Sequence, residues 1–148
     1  MDTVSNYTET LEKTVRDLLE RQDDLIRTAF TDQLTGLGNR GGFARSLEEL
    51  WEQDTPVTMA YIDIDNLKHC NDVFGHDEGN RYILQVSLYL KLYMKVDEAA
   101  FRIGGDEFAI LSTIATEGDL AERLEHCRTV LLKNNDSEMP RSFSYGVS

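Results

Sequence analysis

Between residues 4 and 30 one set of positions recurs at alternating intervals of four and three: Val4, Thr8, Leu11, Val15, Leu18, Gln22, Leu25 and Ala29. Charged side chains such as Glu12, Lys13, Arg16, Asp17, Glu20 and Asp24 fill most of the positions between them. A repeat of this kind, held over roughly three to four heptads, puts a narrow apolar seam along one side of a helix, and another helix is what buries such a seam. The pattern predicts a helix over residues 1–30 that forms a parallel coiled coil and makes the chain a homodimer. An amphipathic helix folded back on its own domain is the alternative, because Thr8, Gln22 and Ala29 weaken the seam.

The period is lost in TDQLTGLGNRGGF, residues 31–43, where glycines and Asn39 predict a loop. Leu47, Leu50 and Trp51 mark a second helix from about Phe43 to Gln53, ahead of Pro56. The run VTMAYIDI, residues 57–64, is short, apolar and β-rich, which predicts a buried strand. Residues 66–74 predict a short helix, GHDEG at 75–79 a turn, and residues 80–94 a long, well-buried helix in which Tyr82, Tyr89 and Tyr93 read as packing. Two β-like runs in AFRIGGDEFAILST, residues 100–113, flank Gly104-Gly105-Asp106-Glu107, a hairpin signal. A helix over 117–132 and a strand over 142–147 close the chain. Strands and hairpins interleaved with helices predict an α+β fold, an α/β sandwich with helices covering a sheet.

Composition narrows the partners. The chain has 148 residues and a formal net charge of −12, which argues against nucleic acid polymers, since those need a basic footprint. A small phosphate ligand remains compatible, because a divalent cation and backbone N–H groups can hold one locally. No apolar run approaches the ~18 residues of a membrane-spanning helix, and MDTVSNYTET lacks the features of a signal peptide. Two cysteines, Cys70 and Cys127, without metal-type spacing, argue for a reducing compartment and a packing role, so a cytoplasmic location is expected.

The candidate chemistry lies in acids. Asp63 and Asp65 end the predicted buried strand, and Asp106 and Glu107 sit on the hairpin turn. Carboxylates gathered at one end of a sheet repel one another unless a cation stands between them, and Mg2+ suits a few carboxylates together with substrate phosphates. The chain after Asp63 passes from strand to helix, where N–H groups point at an anion. Ordinary turn and cap residues would give the same spacing, so the acids alone leave both readings open.

Three longer motifs decide more. Arg102-Ile-Gly-Gly-Asp-Glu-Phe108 resembles the signature of the GGDEF family of diguanylate cyclases. Asp32-Gln-Leu-Thr-Gly-Leu-Gly-Asn-Arg40 is similar to the family's opening D-x-L-T-G-L-x-N-R, and Asp63 through Gly79 is similar to its D-I-D-x-F-K-x-x-N-D-x-x-G-H-x-x-G. The motifs come in the family's order and spacing. The resemblance implies a palm-like nucleotidyl cyclase fold related to the ferredoxin-like sheet, with a GGDEF domain over residues 31–148. It implies an enzyme that binds one GTP per domain and condenses two GTP to cyclic di-GMP as a dimer, with Mg2+ (or Mn2+). By motif position, Asp63, the Ile64 carbonyl and Asp106 would hold the metal, and Asp106 and Glu107 would be the catalytic acids. The N–H groups of Leu67 and Lys68 would face the phosphates, and Asn71 would read guanine. Arg40 is expected to be a structural ion-pair partner, and Asp65, Asn66 and Asp72 to be helix caps. An upstream sensor domain fits the coiled coil.

The sequence departs from the pattern in three places. Asn80 stands where the family has the Asp that accepts from the guanine edge; it either alters base choice or merely caps the helix that follows. Lys95 and Glu98 stand at the family's inhibitory R-x-x-D, so that site is expected to be degenerate. The sequence ends at Ser148 in the family's late S-x-G-V strand, so a domain without the family's C-terminal helix is expected. Two function classes follow: a dimeric cyclase, or a degenerate module that binds nucleotide or a partner and relays a signal through the coiled coil.

Overall fold

A computed structural model of the chain describes residues 3–134 and 137–148. Its framework is the strand β1 (Thr58–Ile64), in which Ala60, Ile62 and Ile64 are buried while Tyr61 and Asp63 are exposed. That alternation is the period of a strand with one face in a core. β1 pairs antiparallel with β3 (Glu107–Ser112) on one side and β4 (Phe143–Val147) on the other, and β3 pairs antiparallel with β2 (Glu98–Arg102). The result is a four-stranded sheet in the order β2-β3-β1-β4.

Three helices cover the face that carries Ile62: α3 (Leu67–Phe74), α4 (His76–Leu92) and α5 (Glu117–Lys133). Cys70, Tyr82, Val86, Leu90, Leu124 and Leu131 from these helices join Ile62, Phe108 and Phe143 in one buried cluster. Both cysteines are buried, and burial pushes the Cys127 thiol up to about 12, in keeping with a packing role. The opposite face is covered by α2 (Arg40–Glu52), whose Phe43 ring meets Phe101 and Tyr61 edge-on at centroid distances of 5.5 and 6.4 Å. This α+β arrangement, helices on both faces of an antiparallel sheet, is the one expected from the sequence.

The first helix, α1 (Thr3–Phe30), has no buried residue, and its seam residues Leu11 and Leu25 are 56% and 71% exposed. It does not fold back along the domain, so that alternative is set aside. Its C-terminal end is fastened to the domain. The Asn39 side chain donates to the Ala29 carbonyl at 2.9 Å, the Asn39 N–H donates to the Phe30 carbonyl at 3.0 Å, and the Arg45 guanidinium lies 4.8 Å from the Phe30 ring centre. Among the described residues no helix is long and apolar enough to cross a membrane.

Two helix starts differ from the sequence expectation. α2 begins at Arg40 rather than Phe43, because the Asn39 side chain accepts the Gly42 N–H at 2.9 Å and caps the first turn. α4 begins at His76 rather than Asn80. Gly75 alone makes the turn, at φ 91°, and Asp77 and Glu78 fall in the first helical turn, where the helix dipole favours them. Gly79 reads as a turn residue in sequence but stands inside α4, where a Cβ would run into the Asn71 side-chain amide.

The hairpin β2–β3 is tied to α5 by an ion pair. Glu98 accepts from both terminal nitrogens of Arg123 at 2.6 Å, from the Ser112 hydroxyl at 2.6 Å and from the Lys95 N–H at 2.8 Å, with its side chain fully enclosed. Burial by itself would raise the Glu98 pKa, but the bonds from Arg123 and Ser112, the Lys95 N–H and the Arg123 charge outweigh it and hold the group at about 2, below the ordinary 4.5. A carboxyl depressed in the folded state stabilises fully above its unfolded pKa and loses that contribution as acid titrates it. The Glu98→Gln variant should therefore melt well below the wild type at neutral pH, by the ~1.5–3 kcal/mol typical of bonds to a charged group. The gap should narrow between pH 4.5 and about 2. Thermal melts of both proteins across that range check it, and a gap independent of pH would contradict it.

Candidate functional site

The antiparallel register sets Asp63, one residue before the end of β1, opposite Glu107 at the start of β3. The hairpin turn between β2 and β3 closes on Glu107, whose carbonyl accepts from Ile103 at 2.9 Å and from Gly104 at 3.3 Å. The Ile64 N–H then donates to the Asp106 carbonyl at 2.9 Å, drawing the turn against the end of β1. Carboxylate oxygens of Asp63, Asp106 and Glu107 consequently all lie within 4.8 Å of one another, and all three residues are exposed. None of the three forms an ion pair with Lys or Arg among the described residues. A group of uncompensated oxygen ligands this close is a fit for a hard divalent cation. Ile64 can join it only through its backbone, since its side chain is in the core. Asp65, paired with Asp63 in the sequence reading, turns elsewhere and accepts from the Ser144 hydroxyl at 2.7 Å.

The chain then reverses at Asn66, which sits in the left-handed region (φ 60°, ψ 28°) and makes no side-chain cap bond. Asn66 thus stands at the cap position of α3, but it acts through backbone shape, which Asn tolerates well, and not through its side chain. Leu67 and Lys68 open α3 immediately beside the acidic group, with the Leu67 side chain buried and Lys68 exposed. Asn71 packs its amide against Gly79 of α4, so Asn71 and Asn80 occupy neighbouring positions at the α3–α4 corner. Asn80 is exposed, and no hydrogen bond involves its side chain among the described residues. It lies inside α4, whose cap is Gly75, so the expectation that it merely caps that helix is overturned.

The opening motif is structural. The Asp32 carboxylate accepts from the Thr35 N–H at 2.9 Å and the Thr35 hydroxyl at 2.7 Å, and receives Arg102 at 3.2 Å. Burial opposes the Asp32 charge, but Thr35 and Arg102 hold its carboxyl below the ordinary 3.8. Arg102 also donates to the Gly105 carbonyl at 2.9 Å, gripping the turn that carries Asp106. Composition and spacing do not single out Asp32 and Arg102 as partners; the one available signal is an Arg two residues before the Gly104-Gly105 turn. Arg40, expected in an ion pair, is exposed and forms none among the described residues. Of the pair at the degenerate inhibitory position, Lys95 is exposed and Glu98 is enclosed by Arg123, so no free carboxylate faces a ligand there.

Known proteins are similar to this chain in sequence and in fold. The family described as diguanylate cyclase, GGDEF domain, matches residues 29–148. The diguanylate cyclase DgcP of Escherichia coli strain K12 is 35% identical over 118 residues, which are 77% of this chain and 35% of that protein. The response regulator PleD of Caulobacter vibrioides is 36% identical over 109 residues, 69% of this chain and 24% of that protein. The chain thus spans about a third or less of these curated relatives. Among solved structures, the coiled coil and GGDEF domain of DgcB from Caulobacter crescentus, in complex with c-di-GMP, superposes with a TM-score of 0.88 at 27% identity, covering 99% of this chain and 82% of that one. The diguanylate cyclase SiaD of Pseudomonas aeruginosa, in complex with its activator SiaC, gives a TM-score of 0.71 at 26% identity, covering 97% of this chain and 57% of that one.

The acidic group makes a thermodynamic expectation. Mg2+ should raise the melting midpoint of the wild type, by about 2.7 kcal/mol of stability at a hundredfold excess over its dissociation constant. Asp63→Asn and Asp106→Asn should lose most of that shift while melting no lower than the wild type without the ion, since each removes a repelling charge. Differential scanning calorimetry with and without Mg2+ decides it; variants that keep the full shift would exclude these ligands.

Proposed function

The chain belongs to the GGDEF domain family of diguanylate cyclases, and from that premise we propose that it condenses two GTP to cyclic di-GMP, releasing two pyrophosphates, as a dimer. The observation that carries the proposal is the exposed group of Asp63, Asp106 and Glu107 beside the first turn of α3. Domain organisation follows: residues 1–30 as a signalling coiled-coil helix and residues 31–148 as the GGDEF domain, with an upstream sensor domain as a natural partner of the helix.

A divalent cation, Mg2+ or Mn2+, would be held by Asp63, the Ile64 carbonyl and Asp106, and would supply neutralisation of phosphate charge. The rest is assigned to the chain. Glu107, adjoining Asp63 across the β1–β3 pairing, is the second catalytic acid. The N–H groups of Leu67 and Lys68, unpaired by the helix that they start, cradle the phosphates. Asn71 and Asn80 at the α3–α4 corner read the base. One domain holds one GTP, so the attacking ribose hydroxyl must come from the nucleotide of a second domain. Dimerisation through α1 is therefore part of the proposed chemistry.

Incubation of the protein with Mg2+ and GTP, ATP or both, followed by chromatography for cyclic dinucleotides, tests the reading. Nucleotide binding without any cyclic product would favour the signalling module that binds and does not catalyse. Removal of residues 3–30 should convert a dimer into a monomer at micromolar concentration, because Leu11, Val15, Leu18 and Leu25 are exposed along α1. Sedimentation showing an unchanged dimer would refute the assembly.

Base choice has its own test in Asn80. An Asn amide carries one acceptor and one donor group, so it cannot accept from two guanine donors as a carboxylate does. Asn80→Asp should raise GTP affinity at least about tenfold, the equivalent of the ~1.5–3 kcal/mol of a charged hydrogen bond. Discrimination against ATP should rise with it. Titration of both proteins with GTP and ATP checks this, and equal GTP-to-ATP affinity ratios would mean that Asn80 does not read the base.

A further inference from the structure

Tyr82 reads as packing in the sequence, and its ring is indeed in the core at 0% exposure. Its hydroxyl has a different environment. It lies 2.7 Å from the Asp65 carbonyl and 2.7 Å from the Ser142 carbonyl, and it accepts the Ser142 N–H at 2.9 Å. The Ser142 carbonyl also accepts the Asp65 N–H at 3.0 Å. A side chain from the middle of α4 thus joins the exit of β1 to the entry of β4. The buried hydroxyl is kept protonated, because burial pushes Tyr82 up to about 12.

The peptide planes that this knot fixes are the ones the proposed site uses. The Asp65 N–H belongs to the peptide unit whose carbonyl is that of Ile64. With that N–H held by Ser142, a planar trans peptide turns the Ile64 carbonyl the opposite way, toward the side on which Ile64 also bonds Asp106. The Asp65 carbonyl belongs to the next peptide unit, which leads into Asn66 at φ 60° and on to the N–H groups of Leu67 and Lys68. We infer that Tyr82 is a positioning residue for the proposed metal and phosphate loop. Its hydroxyl sets the orientation of the two peptide units that flank Asp65, and hence of the Ile64 carbonyl and the first turn of α3. The Arg141 guanidinium, 5.5 Å from the centre of the Tyr82 ring, closes over it, so the hydroxyl is delivered from a fixed ring.

The inference rests on the proposed reading of the site, and its test separates the two. The variant is Tyr82→Phe, which keeps the ring and deletes the hydroxyl. The control is Val86→Ala, a fully buried position one turn along α4 whose loss weakens the core away from the loop. The probe is Mn2+, followed by electron paramagnetic resonance, with guanosine 5′-(α-thio)triphosphate present. Tyr82→Phe should weaken Mn2+ binding by about tenfold or more and alter the line shape of the bound ion, while Val86→Ala, compared at temperatures equally far below each midpoint, should bind as the wild type does. Wild-type affinity in Tyr82→Phe, or an equal loss in both variants, overturns the inference and leaves the site reading standing. A wild type that binds neither Mn2+ nor the nucleotide removes the site reading, and the inference with it. Should Tyr82→Phe fail to fold, the wild type still gives an answer. The Tyr82 hydroxyl proton, observed by NMR, should shift on addition of Mg2+ with the same nucleotide, and an unmoved resonance counts against the coupling.

Discussion

Everything at the acidic end of this sheet depends on the β1–β3 register. Pairing Thr58 with Ser112 and Asp63 with Glu107 brings like charges together, and a slip of one residue would turn Asp63 toward the core and Ile62 toward water. Burial of Ala60, Ile62, Ile64, Phe108 and Ile110 on one face makes that slip prohibitively unfavourable. The hydrophobic face therefore holds in place a group that electrostatics alone would separate. An uncompensated cluster kept by a rigid backbone is an invitation to a cation, and a preorganised one, since its ligands need no reorganisation.

Around that register the fold places two braces from distant parts of the chain. Arg102, paired with Asp32 of the opening loop, whose carboxylate Thr35 holds, grips the turn that carries Asp106. Tyr82 of α4 and Ser144 of β4 grip Asp65 from the other side. Both braces end on backbone carbonyls or on side chains next to the acids, so the acids themselves remain exposed and unpaired. The ion pair of Glu98 with Arg123 works farther off, locking the hairpin to α5. Its geometry leaves no free carboxylate at Glu98, which already has four donors.

Much of this was legible in the sequence where a pattern has one meaning. The strand Thr58–Ile64, the hairpin around Asp106 and α5 follow from period and turn chemistry, and the ordered motifs pointed to the family. The misread places are those where a residue has two possible uses. Gly79 can mark a turn or permit a close contact, and only the proximity of Asn71 reveals the second. Asn66 can cap by its side chain or by adopting positive φ, and the fold uses the second. Tyr82 belongs to a helix of apolar residues, and nothing local shows that its hydroxyl meets Asp65 and Ser142, the latter 60 positions away. Polar contacts set by long-range topology leave no periodic trace.

The fastening of α1 has a geometric corollary. Asn39 and Arg45 clamp the last turn of the 28-residue helix, which is about 42 Å long in all at the usual rise and has no buried residue. Its azimuth relative to the acidic group is set at the clamp, and every residue along the helix advances that azimuth by about 100°. The helix behaves as a phased shaft: lengthening it by whole heptads nearly preserves the angular relation between whatever turns its far end and the domain, whereas three or four residues fall short of or overrun a full turn and rotate one end against the other. A change of length at this junction therefore changes angle as well as reach.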